Sequence, residues 1–189
     1  MADSPLEEFE MREHAEHAAH AAHAGAGLIS QVTMTIAVLA VAAAVVASLE
    51  TTEGDKTIVS KNDAVLLQNK ATDQWNFYQA KSLKKNLYSL AADQGGPKAA
   101  DYAKTAAKNG ADQADIQKDA KALEAQRDAQ SEIAEVHERR HGRLTIASTL
   151  LHMSIAIATL AIILTRRWPW VASLVLAAGG AALTVWAYM

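Results

Sequence analysis

The sequence predicts an all-α membrane protein: three transmembrane helices, with a long antiparallel, coiled-coil-like helical hairpin between the first and the second. Three observations carry that prediction. Uncharged, largely apolar runs of 22, 21 and 22 residues occupy positions 28–49, 144–164 and 168–189. The 94 residues between the first two runs show helical periodicity and no strand-like alternation. Strong helix breakers are confined to a few places, chiefly "DQGGP" at 93–97. About 20 apolar residues at a 1.5 Å rise cross a hydrocarbon core of ~30 Å, so each run is long enough to span. Lipid offers peptide groups no hydrogen-bond partners, so such runs must be helical. The averages over 189 residues, 50% hydrophobic with a net charge of −3, conceal this segregation.

Residues 1–27 form an acidic tail, rich in Ala and His, with six acids against Arg12 alone. Ser4, Pro5 and the acids of "LEEFE" are the elements of a helix start: a capping hydroxyl, proline in the first turn, and negative charge near the positive end of the dipole. The glycines at 25 and 27 are expected to break or hinge this helix before the first span. Val45 and Ala47 would suit a signal-peptide cleavage site, but an acidic leader is the reverse of a basic n-region, so 28–49 is expected to be a retained span.

Within the tail, "HAEHAAHAAH" places His14, His17, His20 and His23 at every third position. On an α-helix a three-residue step turns each imidazole by about −60°, so the first and last lie on opposite sides, about 13 Å apart along the axis. One helix cannot bring four to a tetrahedral metal. Zinc, copper or nickel would be held only if several chains shared their tails. Otherwise the histidines are polar spacers on a solvated helix. They also make the tail pH-responsive, since its charge is −5 with neutral imidazoles and near −1 with all four protonated. No cysteine is present, which removes disulfides and thiolate ligands.

Residues 50–143 carry 15 basic and 15 acidic side chains, a balance that gives nucleic acid no basic face. Leu67, Ala71, Trp75 and Tyr78 recur at helical steps, and Ala80, Leu83, Leu87 and Leu90 continue them. After the stop at 93–97, a short helix is expected to end at Asn109 and Gly110, a C-terminal signature. A last helix from about Asp112 carries a second stripe, Ile116, Ala120, Leu123, Ile133 and Val136. Both stripes are thin and rich in alanine. One chain then buries little core, and self-association into a homo-oligomer, or docking of partner subunits, is the expected remedy. Leu67, Trp75, Tyr78, Leu83, Leu87, Ile116, Leu123 and Ile133 are the candidate interaction residues.

Each span offers a face of small or hydroxylated residues, the kind that lets helices approach closely in lipid. The first has Ala37, Ala40, Ala44 and Ser48; the second Thr145, Ser148, Thr149, His152, Ala156 and Thr159; the third Ser173, Ala177, Gly180 and Thr184, beside Gly179. His152 is the one ionisable group inside a span. It reads as an ion site for a channel or transporter, or as a neutral imidazole bonded across the bundle to Ser or Thr. No intramembrane carboxylate or cation accompanies it, which favours the second reading. The short loop "TRRWPW", with Arg166 and Arg167, is expected on the cytoplasmic side. The N-terminus then lies inside and the hairpin in the periplasm, against the opposing vote of Arg139, Arg140 and Arg143.

The phrase "ATDQWNFYQAK" at 71–81 resembles the "ASDQWxxYQAK"-like phrase of a bacterial multi-pass membrane-protein family of unknown function, with Thr72 in place of the serine. The layout of tail, one span, helical region and closing pair of spans is similar too. The resemblance implies a bacterial inner-membrane location and brings no activity, cofactor or site. No nucleophile lies beside a base anywhere, so the expectation is a non-enzymatic scaffold or accessory subunit of a membrane complex, in contact with lipid and protein.

Overall fold

The computed structural model describes the backbone of residues 5–189 and the side chains of residues 27–189. Among the described residues every regular element is an α-helix: α1 over Pro5–Asp93, α2 over Ala99–Leu164 and α3 over Arg167–Trp186. All three contain stretches long and apolar enough to cross a membrane.

Two expected boundaries disappear. The helix α1 is unbroken across the glycines at 25 and 27. Extending an existing helix adds one hydrogen bond per residue fixed, so isolated glycines, at about 1 kcal/mol each, weaken it without ending it. Likewise α2 runs straight through Asn109 and Gly110. Asn109 is buried and donates Nδ2 to the Thr105 carbonyl at 2.8 Å, so its amide is satisfied inside the helix rather than at a cap. A Cβ on Gly110 would lie 3.5 Å from the Lys85 Cδ, so the position gives the Lys85 stem room to lie across it.

The stop at 93–97 is where it was expected. Gly95 and Gly96 have φ of +77° and +102°, and the Gly95 amide donates to the Ala92 carbonyl at 3.1 Å. The other connection is only Thr165 and Arg166, with Thr165 at φ +50°. Pro169 falls in the first turn of α3, where its missing N–H costs no hydrogen bond.

The chain divides into two compact units: Met1–Glu53 with Arg139–Met189, and Gly54–Glu138. The first holds two apolar clusters. Leu39, Ala43 and Val46 of α1 meet Leu144, Ala147 and Leu151 of α2 and Ala177 of α3. Leu28 and Val32 meet Ala158 and Ala161, with Trp170 packed alongside and donating Nε1 to Thr35 Oγ1 at 3.1 Å. As residue numbers rise along α1, those of their α2 neighbours fall.

The small faces expected of the spans are confirmed for α3 alone, where Ser173, Ala177 and Gly180 are buried. On α1, Ala37, Ala40, Ala44 and Ser48 are exposed, and the larger Val32, Leu39 and Val46 turn inward. On α2 the buried row is Leu144, Ala147, Leu151, Ser154, Ala158 and Ala161; of the expected row only Ser148 is buried. The reason is reciprocal packing. Small surfaces on α2 and α3 accept the bulkier side chains of α1, whereas small against small would leave less contact.

Candidate functional site

The unit Gly54–Glu138 is assembled along a seam of seven-residue steps. Ala106, Gln113 and Ala120 of α2 are buried, as are Asn109 and Ile116 three residues on from the first two. Ala134 continues the row of Ala106, and Arg127 at the missing step is half-buried. Across from them α1 buries Thr57, Ala64 and Ala71, again seven apart. Both helices turn toward each other the residues that recur every 3.5 positions, which is the spacing that keeps one stripe facing a partner helix.

Polar contacts fix the register. Lys61 pairs with Glu138 at 2.9 Å. Arg127 donates Nη1 to Gln68 Oε1, and Gln68 in turn donates to Thr72 Oγ1 at 3.2 Å. Trp75 donates Nε1 to Glu124 Oε1 at 2.9 Å. Lys81 Nζ meets Asp112 Oδ2 at 2.6 Å and also lies 5.4 Å from the centre of the Phe77 ring. The Lys81 hydrogen bond, opposed by partial desolvation and helped by the charges of Lys81 and Lys108, lowers the Asp112 pKa below its ordinary 3.8. Trp75 and Tyr78 stand edge to face, with ring centres 5.6 Å apart and planes at 75°. Tyr88 and Tyr102 lie with ring centres 6.0 Å apart, nearest the turn.

The eight candidate interaction residues therefore separate into two groups. Ile116 is buried, and Leu67, Trp75, Tyr78 and Leu123 are half-buried within the unit. Leu83, Leu87 and Ile133 face outward, 71%, 62% and 44% exposed. Leu90 joins them at 59%, and the steps from 83 to 87 to 90 put all three leucines on one side of α1. No acid lies between positions 74 and 92, while Lys81, Lys84 and Lys85 flank this side. Periodicity identified a stripe but averaged two faces into it. The signal that separates them is the seven-residue recurrence of alanine, which marks the inner seam.

His152 is exposed on α2, and its Nδ1 donates to the Ser148 carbonyl at 2.8 Å, four residues back on its own helix. The cross-bundle bond expected of it is absent because an i−4 carbonyl is always within reach on a helix. Thr149 and Thr159 satisfy their hydroxyls the same way, on the Thr145 and Ala156 carbonyls. No group of three or more His, Asp or Glu side chains suited to a metal occurs among the described residues. The side chains of His14, His17, His20 and His23 lie outside those residues, and so does the metal site expected of them.

These features define a class: an all-helical protein with three helices long and apolar enough to cross a membrane, and a polar-zipped, alanine-seamed helix pair. Within that class the chain belongs to the family described as a domain of unknown function (DUF4337), which matches residues 28–189. The expectation of an uncharacterised family is met at that level. No curated protein matches the chain, and no solved structure does.

Proposed function

We propose that this protein is a non-enzymatic, multi-pass protein of the bacterial inner membrane that self-assembles and serves as a scaffold or accessory subunit of a membrane complex. Its three apolar stretches act as spans, and residues 54–138 act as a coiled-coil-like antiparallel hairpin that presents an association surface. The observation that carries this is the outward row Leu83, Leu87 and Leu90, each more than half exposed on a unit whose seam is already closed by other residues. Large aliphatic side chains aligned on one face of a well-packed helix mark an interaction surface. The short loop with Arg166 and Arg167 supports a cytoplasmic N-terminus and a periplasmic hairpin.

Light scattering on the detergent-solubilised chain is the test. A homo-oligomer is expected, with Leu83→Ser, Leu87→Ser and Leu90→Ser together shifting it toward monomer while helicity stays intact. A monomeric wild-type chain would remove self-assembly, leaving the face to a different subunit.

A further inference from the structure

The unit Met1–Glu53 with Arg139–Met189 carries a basic and aromatic cluster that self-assembly does not use. Arg143 stands over the Trp186 ring, 4.4 Å from its centre, and donates Nη1 to the Trp186 carbonyl at 3.0 Å. Arg140, one turn earlier on α2, stands over the Tyr188 ring at 5.3 Å. Both rings are exposed, at 55% and 44%, and both arginines are half-buried. Among the described residues neither guanidinium is paired with a carboxylate. The Glu50 carboxylate of the same unit is engaged by Thr145 Oγ1 at 2.8 Å instead.

A guanidinium held over a ring still carries five N–H donors in one plane. One donor of Arg143 goes to the Trp186 carbonyl, and those of Arg140 meet no acceptor among the described residues. Two cationic forks, one turn apart on α2 and each centred over a ring, are arranged for the oxygens of a phosphate. Their depth is set by the sequence. Leu144, next to Arg143, opens the uncharged run 144–164, and Trp186 is the last residue of α3. Where that run and α3 cross a bilayer, the guanidiniums lie at the headgroup level, among interfacial aromatics.

We propose that Arg140 and Arg143 form a binding site for the phosphate of an anionic phospholipid, with Trp186 and Tyr188 as the plates that orient them. This rests on reading the apolar stretches as spans. A lipid with net negative charge is specified because the two guanidiniums bring two positive charges, whereas a zwitterionic headgroup carries its own ammonium. Charge attraction at such a surface makes the expected preference about thirtyfold for two arginines.

The full chain, purified in detergent and stripped of lipid, is titrated with phosphatidylglycerol, phosphatidylcholine or inorganic phosphate, with lipid retention read by native mass spectrometry. Phosphatidylglycerol is expected to bind wild type about thirtyfold more tightly than it binds Arg140→Gln with Arg143→Gln, and phosphatidylcholine not to distinguish them. Arg140→Lys with Arg143→Lys keeps the charge and loses the stacked forks, so it should keep only part of the affinity. It also decides the matter if the Gln variant loses its helical signal. Equal phosphatidylglycerol affinity in wild type and Gln variant, or full affinity in the Lys variant, overturns the site. Inorganic phosphate that displaces the lipid at equal concentration overturns the lipid assignment. A chain released from membranes by alkaline carbonate overturns the spanning reading itself, whereas a retained chain without lipid preference overturns the site alone.

Discussion

At the scale of single residues, the cross-helix contacts of unit Gly54–Glu138 lend themselves to clean substitution. Folded Asp112 holds its proton less tightly than an unfolded carboxyl at 3.8. The contribution of its pair with Lys81 is therefore whole above that value and is lost as pH falls through the lower folded one. Thermal melts followed by circular dichroism should show Asp112→Asn lowering the Tm at pH 7 and matching wild type near pH 2. Trp75→Phe removes the donor to Glu124 and should cost about 1 kcal/mol, since the freed carboxylate remains half exposed to water. Trp75 and Tyr78 were legible as residues of one face, because three positions on a helix separate neighbours. Their polar partners were not. Which acid Lys81 meets depends on the register of a helix 31 positions away, and nothing local to Lys81 encodes it.

At the scale of elements, two adjacent glycines of α3 make a matched test. A Cβ on Gly180 would stand 3.1 Å from both the Ala147 carbonyl oxygen and Leu151 Cγ, whereas one on Gly179 would find only Leu150 Cδ1 at 4.0 Å. A backbone oxygen cannot swing aside, so Gly180→Ala must part the helices and should destabilise by about 1–3 kcal/mol. Gly179→Ala should be close to neutral, both read by denaturant unfolding in detergent. The turn between α2 and α3 offers the opposite sign. Thr165 is β-branched at φ +50°, a conformation Asn tolerates better. Thr165→Asn should stabilise by about 1 kcal/mol in the same assay. The glycine turn at 93–97 was readable because two glycines followed by proline leave a helix no continuation. Asn109 and Gly110 are turn-formers without a proline, and the bond of Asn109 to Thr105 within the helix and the packing of Lys85 across Gly110 override them.

At the scale of the whole molecule, the outward leucines carry the proposed association. Changing Leu83, Leu87 and Leu90 to Ser should lower the oligomer order and leave the melting of the helices nearly unmoved, while Trp75→Ala with Tyr78→Ala should do the reverse. Sedimentation or light scattering beside circular dichroism separates the two outcomes. The three apolar stretches were legible from hydropathy alone, because length and charge exclusion are properties of the chain. The inner faces were not, because every apolar helix here carries small residues on several sides. Only the fit of Leu39 and Val46 against the alanines of α2 and α3 selects one side.

The alanine seam has a thermal consequence. An alanine side chain has no rotamers to lose on burial, and it hides little apolar surface from water. Thr57, Ser60, Asn109 and Gln113, buried beside those alanines, add polar surface whose exposure acts on heat capacity in the opposite direction. Unfolding of this unit should then absorb well under the usual ~12–15 cal/mol/K per residue. Its stability curve becomes shallow, changing little between cold and warm conditions. A helix pair built this way keeps the proposed association surface presented over a wide span of temperature, at the cost of a low maximum, and scanning calorimetry would display it as a broad, low transition.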